Sequence, residues 1–222
     1  MEDVRDRIRH NLHDVLQRIR AAEDRAGRAP GSARLVAVTK SVGLAEVHAL
    51  IDAGISEFGE NRPLDARSKI EAVQGPVCWH MIGSVQRRKA AEVVDLFGAV
   101  DSVDRIELAD ALEKRCTEVP KSIEVLFEVN VSGEASKHGF SPDEVPGVLA
   151  QSSRWPHLRV RGLMTMAPFV DNPEEVRPLF RRLRELADDL GLPDLSMGMS
   201  NDYEAAVEEG ATQVRIGTAL FI

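Results

Sequence analysis

Lys40 closes an apolar run of β character, Arg34-Leu35-Val36-Ala37-Val38-Thr39-Lys40, where a turn residue would be ordinary. Side chains alternate along a strand, so Val36, Val38 and Lys40 share one face while Leu35, Ala37 and Thr39 share the other. If Val36 enters a core, Lys40 enters it too, and partial desolvation of the amine favours the neutral nucleophile. The chemistry this permits is a Schiff base with a carbonyl; the plain alternative is a solvated lysine that blunts a sheet edge. A second cation separates these readings. In Gln213-Val214-Arg215-Ile216-Gly217-Thr218, alternation puts Arg215 and Gly217 opposite Val214 and Ile216. With the apolar pair against helices, the guanidinium points inward and requires an anion or another acceptor.

Two turns near these cations are suited to a phosphate. Gly198-Met199-Ser200-Asn201-Asp202 opens a helix, Asn201 and Glu204 have capping-box spacing, and Gly217-Thr218 pairs a permissive backbone with a hydroxyl. Ordinary glycine turns with a helix cap are the alternative. An inward lysine, an inward arginine and a phosphate cradle together suggest an aldehyde-bearing phosphate with an aromatic ring nitrogen, pyridoxal 5'-phosphate (PLP).

These residues need a scaffold that gathers them. Residues 2–26 read as an amphipathic helix, with Val4, Ile8, Leu12, Val15, Leu16 and Ile19 at three- and four-residue spacing. Strands are then expected at 34–40, 55–59, 77–82, 99–103, 123–131, 158–166, 195–197 and 213–217. Helices are expected at 44–53, 63–73, 86–97, 106–119, 142–152, 174–190 and 202–209. Eight strands, each but the last followed by a helix, predict an α/β fold: a single (β/α)8 TIM-type barrel over residues 1–222, with an extra N-terminal helix and no C-terminal β domain. A doubly wound sheet is disfavoured because no glycine-rich phosphate fingerprint follows an early strand. The chain reaches Ile222 with no eighth helix, so the N-terminal helix is expected to cover that gap. Barrel sites form at the C-terminal strand ends. Here these ends carry Lys40, Glu60-Asn61, His80 with Gly83-Ser84, Asn130 and Ser132, and Thr165.

With 36 acidic against 28 basic residues, a net charge of -8, the chain offers phosphate backbones no general attraction, so nucleic acid is an unexpected partner. Arg87-Arg88-Lys89 and Arg181-Arg182-Leu183-Arg184 fall in helix-like stretches and read as solvated faces. No apolar run approaches a bilayer span, and the charged N-terminus lacks a signal peptide's core; a cytoplasmic protein with no membrane partner is expected. Cys78 and Cys116 match no disulfide framework or zinc spacing. Cys78 and His80 share a strand face, but no third ligand is spaced nearby, and they read as a packed thiol and a hydrogen-bonded imidazole. Met164 and Met166 read as core or pocket lining.

The sequence resembles the pyridoxal phosphate homeostasis protein family, single-domain relatives of the alanine racemase barrel. Seven motifs in order carry the resemblance: Leu35-Val36-Ala37-Val38-Thr39-Lys40, Phe58-Gly59-Glu60-Asn61, Trp79-His80-Met81-Ile82-Gly83, Val129-Asn130-Val131-Ser132-Gly133-Glu134, Gly162-Leu163-Met164-Thr165, Leu195-Ser196-Met197-Gly198-Met199-Ser200 and Val214-Arg215-Ile216-Gly217-Thr218. It implies that Lys40 holds PLP as a Schiff base, that Ser200, Gly217 and Thr218 bind its phosphate and that Arg215 faces the pyridine nitrogen; Asn61, at the end of the second strand, is expected to join them in the cofactor site. The chain departs from the family at Ser84-Val85-Gln86-Arg87-Arg88-Lys89, where His-Leu-Gln-x-Asn-Lys is usual, and at Pro63-Leu64-Asp65-Ala66, where a Gln-Glu pair is usual.

Three functions compete: a non-enzymatic PLP binder that buffers or delivers the cofactor for vitamin B6 and amino-acid homeostasis, a PLP-dependent racemase, and a Schiff-base aldolase on phosphosugars. The first is expected to act as a monomer or weak dimer, with apo PLP-dependent enzymes as partners. Lys137, in the loop after the fifth strand, is placed to accept the aldehyde from Lys40 and pass it on, unless it is simply a solvated loop lysine. The racemase reading needs a second base. In alanine racemase that base is a tyrosine from another domain, whereas the single tyrosine here, Tyr203, is expected outside the mouth.

Overall fold

The structure is a computed structural model and describes residues 2–134 and 137–222. Eight parallel strands close into a barrel in sequence order, β1 (Arg34–Val38), β2 (Glu57–Glu60), β3 (Cys78–Met81), β4 (Ala99–Val103), β5 (Ile123–Glu128), β6 (Leu158–Met164), β7 (Asp194–Ser196) and β8 (Gln213–Ile216). Closure is made by β1 against β8, with Leu35 beside Val214 and Ala37 beside Ile216. The predicted alternation holds. Leu35, Ala37, Phe58, Trp79, Met81, Val214 and Ile216 join the apolar layer between strands and helices. Val36, Val38, His80, Asp101, Ser196, Gln213 and Arg215 are buried outside that layer, within the barrel. The barrel interior therefore mixes valines with a buried polar network, where such barrels usually carry branched apolar residues throughout.

The helices are α1 (Glu2–Arg25), α2 (Leu44–Asp52), α3 (Pro63–Ala72), α4 (Ala90–Leu96), α5 (Ile106–Glu118), α6 (Val145–Leu149), α7 (Arg177–Leu190), α8 (Tyr203–Glu208) and α9 (Thr218–Phe221). Helix α1 buries Ile8, Leu12, Val15, Ile19 and Ala22 and leaves Leu16 exposed, so its apolar stripe is narrower than the sequence pattern indicated. It packs on α2, α8 and α9, across the β1–β8 seam as expected. The eighth strand does carry a helix, the single turn α9, which the expectation of no eighth helix overlooked. Asn11 on α1 donates to the carbonyls of Leu220 and Ile222 at 3.3 and 3.2 Å and fixes that turn in place.

Other corrections follow from local chemistry. Strand β5 stops at Glu128 rather than 131, because Asn130 turns the chain: its side chain accepts from Gly133 N–H at 3.0 Å and donates to Glu134 O at 2.9 Å. The helix expected over 142–152 shrinks to α6, since Glu144 accepts from Ser141 N–H at 2.8 Å and closes a turn ahead of Pro146. The helix expected over 86–97 divides into a 3-10 turn at Arg87–Lys89 and α4.

One buried ion pair fixes the segment that carries Lys40. Lys69, on α3, donates to Thr39 O at 2.6 Å and to Glu60 Oε1 at 2.8 Å, and the Thr39 hydroxyl donates to the same oxygen at 2.7 Å. Glu60 is fully buried and its Oε2 has no partner among the described residues. Lys69→Met leaves that carboxylate buried without its cation, and urea denaturation should show a loss of about 3 kcal/mol. Adding Glu60→Gln should recover part of this loss, and an unchanged midpoint in Lys69→Met would refute the account.

Candidate functional site

At the C-terminal ends of the strands lies a cavity of ≈ 420 Å³. Lys40, Asn61, Ser200, Arg215, Gly217 and Thr218 all line it, joined by Val38, Ile82, Ser84, Met166, Phe169, Met199 and Asp202. The six predicted residues thus come from three strand ends and one interstrand loop and meet in one place. The other polar strand ends do not line it. Glu60 points outward to Lys69, His80 lies deeper in the barrel, Asn130 and Ser132 bond within their own loop, and the Thr165 hydroxyl donates to Val129 O at 2.7 Å.

Lys40 follows β1 by two residues and is exposed on the cavity wall, so the desolvation expected of a strand-end lysine is absent. Arg215 is the buried cation. It donates to Ser196 Oγ at 2.7 Å and to Thr165 O at 2.9 Å. Burial lowers its affinity for the proton, and Asp101, Asp202 and Glu128 oppose that shift. Asp101 carries this network inward. It bonds Gln213 and Ser196 through one oxygen and His80 Nδ1 at 2.9 Å through the other, while His80 Nε2 lies 2.6 Å from Glu57. Burial disfavours the imidazolium, but Asp101, followed by Cys78 and Glu57, outweighs it and holds the imidazole well above its usual range. Burial likewise disfavours the Asp101 carboxylate, and His80 outweighs it and holds that carboxyl low.

The loop after β7 is shaped by Gly198, whose φ of +93° favours glycine and whose added Cβ would lie 2.6 Å from Ala206 Cβ. The predicted Asn201–Glu204 capping box does not form. Asp202 is the residue before α8, its Oδ1 accepts from Met199 N–H at 2.6 Å, and Glu204 is taken by Arg18 and Arg25 of α1. Among the described residues, the backbone N–H groups of Ser200, Asn201 and Gly217 have no backbone acceptor, which leaves donors free around the Ser200 hydroxyl. Across the cavity, Gly83 allows Asn61 to approach, since a Cβ there would lie 2.4 Å from Asn61 O.

The chain matches the family model described as alanine racemase, N-terminal domain, over residues 5–222. It is 44% identical over 218 residues to the pyridoxal phosphate homeostasis protein of Pseudomonas aeruginosa, covering 96% of this chain and 94% of that one. The chain belongs to the pyridoxal phosphate homeostasis protein family. Among solved structures, PipY from Synechococcus elongatus with PLP bound is 31% identical, with a TM-score of 0.84 over 97% of this chain and 100% of PipY. Alanine racemase from Clostridium difficile shares the fold, with a TM-score of 0.75 at 12% identity, and this chain spans 56% of its length.

Sequence reasoning missed Ser196 as a hydrogen-bond partner of Arg215, Asp101 as its neighbouring charge, and Gln213 as the residue that bonds both Asp101 and Ser196. Alternation gives a signal for Gln213, two residues before Arg215 on the same strand face, and none for Asp101 across the barrel. It also missed Glu57: register pairs Glu57 with Cys78, so a third metal-ligating side chain does stand beside Cys78 and His80. Among the described residues no helix is long and apolar enough to cross a membrane.

Glu128, the last residue of β5, is pushed up to about 7 by burial and by Asp104. Its native pKa exceeds the unfolded one, so its contribution to stability is greatest below the unfolded value and falls as pH rises toward 7, by roughly 3 kcal/mol. Glu128→Gln removes this fall. In urea denaturation the variant should be the more stable protein at about pH 8, with the difference vanishing near pH 4; a difference independent of pH would contradict the assignment.

Proposed function

We propose that this chain binds PLP at the barrel mouth and buffers or delivers it without being an enzyme of amino-acid metabolism. The observation that carries the reading is the convergence of Lys40, Arg215 and the Ser200, Gly217 and Thr218 donors on one cavity. The donor set fits the cofactor: a solvent-accessible amine for an aldehyde, hydroxyls and unpaired backbone N–H groups for a phosphate, and a guanidinium for a ring nitrogen. The PLP-bound structure of PipY, 31% identical, supports the same assignment.

Bound PLP supplies an aldehyde that bonds an amine and a ring that can accept electrons. In this reading Lys40 is the amine, Ser200, Gly217 and Thr218 hold the phosphate, and Asn61 flanks the ring. Arg215 is held rigidly by Ser196 and Thr165, and a guanidinium only donates hydrogen bonds, so it favours an unprotonated ring nitrogen and a weaker electron sink. Two-base chemistry has little support at the mouth. Tyr203 is buried beneath Arg18 of α1 and does not line the cavity, and Asp202 is engaged by Met199 N–H.

The purified protein, or the protein after addition of PLP, should be yellow, and borohydride reduction followed by peptide mass analysis should place the label on Lys40. A phosphosugar aldolase would lack that absorbance. Lys40→Ala should abolish the label, whereas a label elsewhere or no PLP binding would sink the reading. The same holo-protein should exchange the α-hydrogen of L- and D-amino acids far more slowly than roughly one per second, and turnover at that rate would favour a racemase.

Delivery is proposed to run through Lys137. Its Nζ lies 3.4 Å from the carbonyl of Met166, a residue of the cavity wall, and pairs with Glu134 at 2.8 Å. Its neighbours Ala135 and Ser136 fall outside the described residues. Lys137→Ala should slow transfer of PLP to an apo PLP-dependent enzyme several-fold while leaving binding intact; an unchanged transfer rate would retire this role.

A further inference from the structure

The opposite end of the barrel holds a second cluster of chemistry-bearing side chains. Glu57 begins β2 and Cys78 begins β3, the two are register partners, and His80 follows Cys78 on the same strand face. A carboxylate oxygen of Glu57, Cys78 Sγ and a ring nitrogen of His80 all lie within 4.8 Å of one another, and Nε2 is 2.6 Å from Glu57 Oε2. The three ligand atoms of a tetrahedral zinc site, with bonds of about 2.0–2.3 Å, stand about 3.5 Å apart, a spacing that these distances bracket. None of the three residues lines the mouth cavity.

We propose that Glu57, Cys78 and His80 form a binding site for a divalent transition ion of the zinc class, with water in the fourth position. One thiolate, one imidazole and one carboxylate make the borderline-soft donor set that such ions prefer over magnesium or calcium. The group that orients the imidazole is already in place. Asp101 Oδ1 engages His80 Nδ1 at 2.9 Å, which fixes the ring and aims Nε2 at Glu57 and Cys78. Asp101 is held in turn by Gln213 and Ser196 from two further strands, so the ligand frame is rigid. Glu57 and Cys78 are half-buried, which gives an ion a path from solvent, while His80 is buried.

Without an ion, the N–H at His80 Nε2 donates to Glu57 Oε2. Ion binding breaks the N–H bond at Nε2 and the S–H bond of Cys78, releases both protons to solvent, and forms bonds from the ion to N, S and O with no change of oxidation state. None of the three ligands reaches the mouth cavity, so the ion and PLP occupy separate sites.

Cobalt(II) is the probe. Titrated into the full-length PLP-loaded protein, it should give intense red d–d bands of tetrahedral thiolate coordination, well clear of PLP absorbance, saturating at one ion per chain and bleached by zinc. Cys78→Ser should lose these bands, and Glu57→Gln, a change at a half-exposed side chain that leaves the thiol in place, should weaken cobalt affinity about tenfold. Absence of the bands in the parent protein, or their survival in Cys78→Ser, would overturn the proposal, and neither result bears on whether Lys40 binds PLP.

Discussion

A guanidinium sealed inside a barrel has to be answered by the barrel. Arg215 is 4% exposed, and an unpaired charge in such a place costs several kcal/mol. The interior is organised to prevent that cost. Ser196 and Thr165 accept its hydrogen bonds, Asp101, Asp202 and Glu128 supply negative charge, and Asp101 is in turn balanced by His80. Five strands contribute to this network, and moving any one of them by a residue would turn its polar side chain into the apolar outer layer. The buried charge therefore helps to fix the register that brings Lys40 and Ser200 to the same mouth.

The outer layer answers a different constraint. The barrel closes where β1 meets β8, and α9 after β8 is a single turn, too short to cover that seam. Helix α1 covers it instead. Its apolar face packs there, and Arg18 and Arg25 pair with Glu204 and Glu208 at its edge. Those pairs are largely exposed and contribute little individually. Their effect is positional, since Glu204 belongs to the helix that follows the Ser200 loop, and holding α8 against α1 holds that loop at the cavity.

Much of this was legible in the sequence because period-two alternation is a local property. Residues 34–40 and 213–217 tell which side chains face inward, and from them the inward positions of Arg215 and of the β1 face carrying Lys40 follow. What alternation cannot supply is the partner across the barrel. Asp101 meets His80 and Gln213 only because β4, β3 and β8 curve around a common interior, and Glu57 meets Cys78 only through the β2–β3 register. Helix caps were also poorly legible. Asn201 and Glu204 have the right spacing, yet α1 offers Glu204 two guanidinium groups, and a tertiary ion pair displaces the local cap. The exposure of Lys40 escaped the reading for a related reason: β1 ends at Val38, so the backbone turns before the amine would enter the packed interior.

The contrast between Lys40 and Lys69 shows how this fold separates a structural amine from one left free at the cavity wall. Lys69 is the more buried of the two. Its nitrogen donates to Thr39 O and Glu60 Oε1, which commits it to its neighbours, and its position against the outside of the sheet keeps it from the cavity. Lys40 has neither restraint: no hydrogen bond from its amine is found among the described residues, and it stands on the cavity wall with a rotatable four-carbon stem. Lys69 holds the carbonyl of Thr39, the residue that precedes Lys40, so the buried amine determines where the free one emerges. An amine proposed to bond an incoming aldehyde and later release it, as Lys40 is here, needs solvent access and a fixed root. The pairing of these two lysines through one peptide unit supplies both.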